Sequence, residues 1–444
     1  MRSMVEGACG GDTMSAVLDF PVKPEARPYV GRFAEAAREP EWLRQSRRRG
    51  LSRFAELGFP SRKSESWRYL DLRRLEAEPL LPAVGDATAT LPPGLFPDCC
   101  AARLVLAGGR FAGPLSRLDV PPGVWFGSIA RAIAERPDLI RAAVAGADAE
   151  HSFAALNGAF FADGFVLDMA ACSRLDRPAA IIHWSEGSAA SLHTRSFVNL
   201  AADSRATIVE IHAGKGRYWR NDVVLARLGE RAELRRIVIV EEAGEAAHFG
   251  QFDATLGAGA RCEEFVLLLG GSRVRHEANI RLAGEGAHCD IDGAFVVGGD
   301  DEANIVTAID HAAPGGQTRE LIKGVAAGRG HGAFQGKITV REHAQKTDAH
   351  QLSRNLIIGR RAAIDTKPEL EILADDVKCS HGASVGELDA AALFYLQARG
   401  IPAEEARHML IEGFLAEAVE AVADPELRVH LLRRLTARLG TLEG

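Results

Sequence analysis

Cys379 and His381 are the residues of this chain whose types and spacing best suit metal chemistry. They stand two positions apart, and side chains two apart in an extended strand point to the same side. Thiolate and imidazole both bind iron and zinc. Two ligands from one chain do not complete a metal site, so a partner chain would have to supply the others. The same spacing also fits a structural arrangement in which Cys379 packs in the core and His381 makes a hydrogen bond.

The remaining cysteines do not indicate a disulfide framework or a self-contained zinc site. The chain has seven cysteines, which is an odd number, and no Cys-x-x-Cys pair occurs among them. We expect most of these thiols to be reduced and buried, as free cysteines usually are. The full set is Cys9, Cys99, Cys100, Cys172, Cys262, Cys289 and Cys379.

Signatures of common enzyme classes are missing from the sequence. The segments 214–216 (GKG) and 336–338 (GKI) do not match a phosphate-binding loop. There is no Gly-x-Ser-x-Gly nucleophile turn and no His-Glu-x-x-His metalloprotease helix. From these absences we expect a chain that does not itself bind and hydrolyse ATP.

Composition indicates a large folded protein of the cytoplasm. The 444 residues carry a net charge of −7, and 47% of them are hydrophobic, which allows a large core and argues against a nucleic-acid binder. No run of about 18 uncharged apolar residues predicts a membrane span. The first twenty residues lack the unbroken apolar core of a secretory signal. We expect residues 1–24 to form a disordered leader.

An internal repeat predicts the architecture of the middle of the chain. Short runs rich in Val, Ile and Leu alternate with Gly, Asp and Ala turns, which is typical of strands. Alanines recur at positions 206, 232, 260 and 287, in steps of 26, 28 and 27 residues. A strand–turn–strand unit of this length is too short for a propeller blade and suits one coil of a parallel β-helix. The small alanine would face inward at a tight corner.

Helical patterns flank this repeat region on both sides. In the N-terminal flanking region, a helix ends at Gly58. In the C-terminal flanking region, an apolar stripe runs from Ala406 to Val422 at four-residue spacing, and Asp424 is placed to cap a final helix. The sequence thus predicts a mainly β protein. It has an N-terminal helical subdomain at 25–100, a β-helix core at 101–387 and a C-terminal helical subdomain at 388–444. We expect the helices to cap the exposed ends of the solenoid.

Several segments of the chain resemble the SufB/SufD family of iron–sulfur cluster assembly scaffolds. The most specific stretch comprises 367–372 (KPELEI), 375–383 (DDVKCSHGA) and 393–396 (LFYL). Its Cys-Ser-His-Gly form is similar to the SufD branch more than to the SufB branch. Near the N-terminus, 58–60 (GFP) and 65–69 (ESWRY) also resemble the SufD helical region, although Leu70 replaces a frequent Thr. The resemblance covers residues 54–415.

The resemblance implies a fold, partners and a site. The fold would be a right-handed parallel β-helix flanked by helical subdomains. SufB would pair with this chain through the β-helix, and the SufC ATPase would dock on the C-terminal helices. ATP hydrolysis would occur in SufC, and this chain would be a non-catalytic scaffold rather than an enzyme. An isolated chain would form a homodimer or stay a monomer. His381, with Cys379 as the weaker candidate, would ligate iron or a nascent cluster transiently at the SufB interface. Flavin is linked to the complex in this family, but no residue here identifies a flavin site.

Two alternative functions remain open at the level of sequence. A SufB-type scaffold that accepts sulfur from a desulfurase is the nearer alternative, and the Cys-Ser-His run argues against it. A β-helix enzyme acting on polysaccharides would need a groove with converging carboxylates or bases. Such enzymes are usually secreted, and the absent secretory signal argues against this reading.

Overall fold

The computed structural model describes residues 22–36, 38–82, 89–145, 151–187 and 189–442. The predicted disordered leader therefore lies outside the described residues as far as residue 21. The described helices are α1 (Arg27–Arg32), α2 (Glu41–Leu57), α3 (Arg73–Ala77), α4 (Ile129–Glu135), α5 (Pro137–Ala145), α6 (Ser152–Phe160), α7 (Ala390–Gln397), α8 (Ala403–Val419) and α9 (Pro425–Leu439). In the described part of the chain, no helix has both the length and the apolar run needed to cross a membrane.

The strands occupy the middle of the chain and are mostly nine to eleven residues long. They are β1 (Ala102–Ala107), β2 (Arg110–Phe111), β3 (Val124–Ser128), β4 (Phe165–Met169), β5 (Ala179–Glu186), β6 (Ala190–Leu200), β7 (Arg205–Lys215), β8 (Tyr218–Leu228), β9 (Glu233–Glu241), β10 (Ala247–Leu256), β11 (Arg261–Gly270), β12 (Arg273–Leu282), β13 (His288–Val297), β14 (Glu302–His311), β15 (Gln317–Ala327), β16 (His331–Val340), β17 (Asp348–Ile358), β18 (Ala363–Ile372) and β19 (Lys378–Gly386).

These strands wind into a parallel β-solenoid, which confirms the predicted fold class. Odd-numbered strands from β5 to β19 pair in sequence order in a ten-stranded sheet that ends in β1 and β2. Even-numbered strands from β4 to β18 pair in a nine-stranded sheet that ends in β3. Successive coils therefore place each strand directly on the strand one coil earlier. Only β2 and β3, at the N-terminal end, pair antiparallel among these strands.

The small residue at the coil corner is confirmed, but the first repeat was aligned two residues too late. Ala232, Ala260 and Ala287 are fully buried in the solenoid interior and stand just before β9, β11 and β13. Ala206 instead pairs with Leu234, so Ser204 occupies the equivalent corner. Both Ser204 and Ala206 are buried. Residues two apart face the same way, which is why spacing alone did not separate them.

Helices of the N-terminal region pack on the outer face of the nine-stranded sheet through an aromatic cluster. Phe54 on α2 and Phe153 on α6 lie in this cluster with Trp219 of β8. The rings of Phe153 and Trp219 are 5.3 Å apart, a distance favourable for aromatic pairs. As predicted, α2 ends at Gly58, whose φ of 67° suits a residue without a side chain.

Three short helices, α4 to α6, interrupt the region that was predicted to be all strand. Their brevity leaves too few turns for a clear 3.6-residue pattern. Helix α6 is also buried nearly all round, since seven of its nine residues are buried. Periodicity cannot distinguish such a short buried helix from a buried strand.

The C-terminal helices pack along the side of the solenoid and leave its last coil uncovered. Ile411 and Leu415 of α8 join an apolar cluster with the outer face of the ten-stranded sheet. Buried Lys323 of β15 donates a hydrogen bond of 2.8 Å to the backbone oxygen of Phe414 and pairs with Glu417. The predicted capping of this end is therefore wrong. The predicted stripe is also partly wrong, since Leu410 and Phe414 are only half-buried.

The corner alanine gives a test of the solenoid packing. Ala260→Leu would force three extra carbon atoms into a filled interior, and overpacking of this kind costs about 1–3 kcal/mol. Ala258 lies in the same turn but is exposed, so Ala258→Leu should change stability by less than about 0.5 kcal/mol. The denaturant midpoint of each variant measures the difference. Equal midpoints would contradict the inward orientation of the corner residue.

Candidate functional site

Strand β19, which carries Cys379 and His381, is the last strand of the ten-stranded sheet. It pairs with β17 on one side, and no described strand pairs with its other edge. Cys379 lies in register with Ala349 of β17. The same position in the preceding coils is occupied, in order, by Thr318, Cys289 and Cys262. Since the last two are buried in the interior, Cys379 points inward as they do.

His381 occupies the next inward position along the same strand. It is in register with Gln351, which is in register with Glu320 one coil earlier. Gln351 and Glu320 are buried, whereas His381 is exposed. The orientation is the same in each coil, but the last coil has no neighbour to cover it. The structure therefore brings Cys379 and His381 to one side of an open solenoid end.

The Cys379 thiol is half-buried and packs against the edge of the interior core. Burial raises the pKa of this thiol, a backbone hydrogen bond from Ala349 opposes the shift, and the charge of Asp348 adds to it. The thiol is therefore protonated at neutral pH. A bound cation would be needed to favour the thiolate, which is the form that ligates metals.

Outward-facing residues beside this pair form a separate polar group. His350 of β17 is in register with Ser380, and its Nδ1 lies 2.6 Å from the Ser380 hydroxyl. Its Nε2 lies 2.8 Å from Asp348. His350 thus belongs to the opposite face of the sheet from Cys379 and His381, although it is close to them in sequence.

The other cysteines divide between buried and exposed positions. Cys99, Cys262 and Cys289 are buried, Cys100 is half-buried and Cys172 is exposed. Burial also raises the pKa of Cys262 and Cys289, so these thiols behave as inert core residues. Cys172 is exposed in a turn with a φ of 59°, and Cys9 lies outside the described residues. The expectation that most thiols are buried is thus confirmed only for Cys99, Cys262 and Cys289, which are three of the six described cysteines.

A second polar cluster lies inside the solenoid and was missed by the sequence analysis. His183 of β5 and His212 of β7 are in register and stack with their rings 4.3 Å apart. Asp222 of β8 reaches them from the opposite sheet. Burial lowers the pKa of both imidazoles well below the usual range, so both are neutral. The sequence contained a signal for this contact, because His183 and His212 are 29 positions apart, which is about the length of one coil.

The next coils bury an ion-pair network beside this cluster. Arg236 donates to Glu210 at 2.6 Å and also pairs with Glu264. His276 lies 3.3 Å from Glu264. Burial would lower the pKa of Arg236, but the two carboxylates outweigh it and raise that pKa. The guanidinium is therefore charged and paired, as a buried charge must be.

The comparisons with known proteins all indicate one family. Residues 183–414 match the family described as SUF system FeS cluster assembly, SufBD core domain. The chain is 31% identical to the iron–sulfur cluster assembly protein SufD of Escherichia coli, over 88% of this chain and 91% of that protein. It is 28% identical to a SufBD family protein of Synechocystis, over 86% and 88%. It is 26% identical to SufD of Bacillus subtilis, over 88% and 92%.

Glu320, one coil beneath Gln351 and two coils beneath His381, gives a pH-dependent prediction. Burial raises its pKa to about 7, from about 4.5 in the unfolded chain. The unfolded state therefore releases a proton that the folded state keeps, and stability falls as the pH rises from about 4.5 to 7. Glu320→Gln should stabilise the protein by about 2–3 kcal/mol at pH 8 and by less than about 1 kcal/mol at pH 5. Urea unfolding at both pH values measures this, and a pH-independent difference would contradict it.

Proposed function

This chain belongs to the SufBD family of iron–sulfur cluster assembly proteins, and from that premise we propose that it is a SufD-type scaffold subunit. In this proposal the chain pairs with SufB and with the SufC ATPase in the cytoplasm and helps to build and transfer nascent clusters. It is not itself catalytic, and ATP hydrolysis occurs in SufC.

The observation that carries the proposal is the open last coil with Cys379 and His381 on its inward side. A thiol and an imidazole from one strand supply two ligands on the same side. A nascent cluster held there would need its remaining ligands from a second chain facing the same opening. Iron or the cluster is cargo at this site, so the ligands must be reachable while the cluster forms and shielded afterwards.

Pairing with SufB is supported by the unpaired strand edges and the exposed apolar side chains at the C-terminal end of the solenoid. Strands β18 and β19 carry backbone groups that no further described strand pairs, which is the usual basis for adding a strand from another chain. Ile372 of β18 is 41% exposed, whereas Val340, one coil earlier in the same row, is fully buried. Val385 of β19 is likewise exposed. A second β-helix stacked on this end would cover both apolar side chains.

Docking of SufC is supported by the helices that follow the solenoid. Helix α7 has no buried residues, and its Phe394 and Tyr395 are 72% and 55% exposed. Met409 of α8 is also exposed. Exposed apolar residues grouped in this way are typical of an interaction surface.

In the proposed mechanism, SufC dimerises on binding ATP and pulls on these helices. The SufB interface then shifts and uncovers Cys379 and His381.

The ligand role of His381 predicts a loss of cluster in the assembled complex. In complexes of this chain with SufB and SufC, purified anaerobically, His381→Ala should remove most of the bound iron and sulfide. The substitution removes one ligand without changing any pairing of the backbone. The measurement is iron and sulfide per complex, with gel filtration to check that the complex is intact.

His350→Ala provides the matched control, because His350 lies on the neighbouring strand and faces the opposite side of the sheet. It should leave iron and sulfide unchanged. A His381→Ala complex that keeps the full cluster content would show that the Cys379–His381 pair is structural.

The interface role of the open end predicts that a charge at Ile372 weakens SufB binding. Ile372→Lys would place an ammonium group where the partner is proposed to cover an apolar side chain, and burying an unpaired charge is costly. Val429→Lys is the control, since Val429 is also an exposed apolar residue but lies on α9. Binding to SufB is measured by gel filtration of the mixed chains. Equal weakening by both variants, or by neither, would contradict the proposed interface.

A further inference from the structure

We propose that His183, His212 and Asp222 form an interior binding site for one divalent transition-metal ion of the Fe²⁺ or Zn²⁺ type. The three residues come from β5, β7 and β8 and lie inside the first coils of the solenoid. This site is separate from the open end that carries Cys379 and His381, which lies on the last coil.

The spacing of the ligand atoms suits one metal ion. The His212 Nδ1 is 3.0 Å from Asp222 Oδ2, and the His183 Nδ1 is 4.0 Å from Asp222 Oδ1. One ligand atom from each residue lies within 4.8 Å of the others. Ligands that surround a metal tetrahedrally at about 2.1 Å are about 3.4 Å apart. Small side-chain movements would therefore bring all three to bonding distance.

The same atoms lack partners within the described residues. Both ring nitrogens of His183, the Nδ1 of His212 and the Oδ2 of Asp222 are buried and form no hydrogen bond. His212 Nδ1 and Asp222 Oδ2 are close enough for one, but they do not meet in hydrogen-bond geometry. Each unsatisfied buried group costs about 1–3 kcal/mol. A shared cation would explain one unpartnered atom of each residue, since it would accept a lone pair from one His183 nitrogen, from His212 Nδ1 and from Asp222 Oδ2. The other His183 nitrogen carries the proton of the neutral ring.

Two neighbouring residues lie where the surroundings of a metal site would lie. Glu210 Oε2 is 3.9 Å from His212 Nε2, beyond hydrogen-bond distance, on the side of the ring away from Asp222, where a carboxylate can orient a ligating imidazole once it moves into contact. The Thr194 hydroxyl donates a hydrogen bond to Asp222 Oδ1. That bond fixes one carboxylate oxygen and leaves Oδ2 free toward the imidazoles.

The carboxylate of Asp222 is more available to a cation than the carboxylate of an adjacent cluster. His212, Glu242 and His248 also lie close together, but Glu242 accepts hydrogen bonds from Arg220 at 2.7 Å and from Tyr218. That carboxylate is already neutralised by the guanidinium. Arg220 is farther from Asp222, with its Nε 3.9 Å from Oδ2, so Asp222 keeps more of its charge for a cation.

The donor set decides the class of metal. Two imidazoles and one carboxylate suit Fe²⁺ and Zn²⁺, whereas Mg²⁺ prefers oxygen ligands and retained waters. Because all three residues are buried, the ion would enter during folding, and dilute chelator would remove it slowly.

The experiment measures metal in natively purified full-length protein. Cells are grown with added Fe²⁺ or Zn²⁺, the chain is purified anaerobically, and metal per chain is measured by mass spectrometry. The Cys379→Ser/His381→Ala variant is measured in parallel to remove the ligands at the open end. Wild type and this variant should each hold about one equivalent at the interior site, and Asp222→Asn should lower it by about tenfold.

Two further variants keep the test decisive. His183→Gln should also lose the metal, so the result does not depend on one variant folding. His311→Gln is the matched control, because His311 is buried on β14 and its Nε2 lies 2.9 Å from the Thr318 hydroxyl, outside the cluster. It should keep the metal. Circular dichroism checks the fold of each variant.

Three results would overturn the inference. The first is natively purified wild-type protein that contains neither Fe²⁺ nor Zn²⁺. The second is full metal content in both Asp222→Asn and His183→Gln. The third is metal that is lost from the Cys379→Ser/His381→Ala variant and kept by Asp222→Asn, which would assign the ion to the open end. This last result would support the proposed scaffold function while rejecting the interior site.

Discussion

Stacking of one coil on the next is the interaction on which the rest of the structure depends. Each inner strand is paired along both edges by its neighbours, and each inward side chain is covered by the coils before and after it. A residue in the same row is therefore buried in one coil and exposed in the last, as Val340 and Ile372 are. The C-terminal helices do not change this, because they pack on the outer face of the ten-stranded sheet. The end that carries the proposed ligands Cys379 and His381 is thus the place where stacking stops.

Stacking also explains why polar residues occur in rows inside the solenoid. Strands in adjacent coils are about 4.8 Å apart, so polar residues repeated at the coil period come into contact, as His183 and His212 do. Arg236 lies between Glu210 and Glu264 in the same way. A slip of one residue in register would turn Arg236 to the other face and leave two buried carboxylates unpaired. The interior charges therefore favour one register as well as one fold.

The sequence predicted the features that depend on local pattern and repeat length. The alternation of apolar runs with turns and the step of about 27 residues were sufficient for the β-helix, and Gly58 and Asp424 marked helix ends that the structure confirms. Features that depend on packing between distant segments were not predicted. The side-on position of α8 rests on contacts with β13 and β15, and a stripe at helical spacing does not say which surface it meets. The first repeat was misaligned at Ala206 because the strand register is set by its pairing with Leu234 and not by residue type.

Burial of Cys379 connects assembly of the complex with reactivity in the proposed scaffold. The thiol is protonated because its surroundings disfavour the thiolate, and a protonated thiol ligates metals poorly. Binding of a cation beside His381 would lower that pKa and release the proton, so the ligand forms only when cargo arrives. Covering the open end with a second chain would bury the thiol further and raise its pKa while the site is empty. In the proposed scaffold, an incomplete last coil would thus keep this cysteine protonated in the isolated chain and would let it become a ligand when both partner and iron are present.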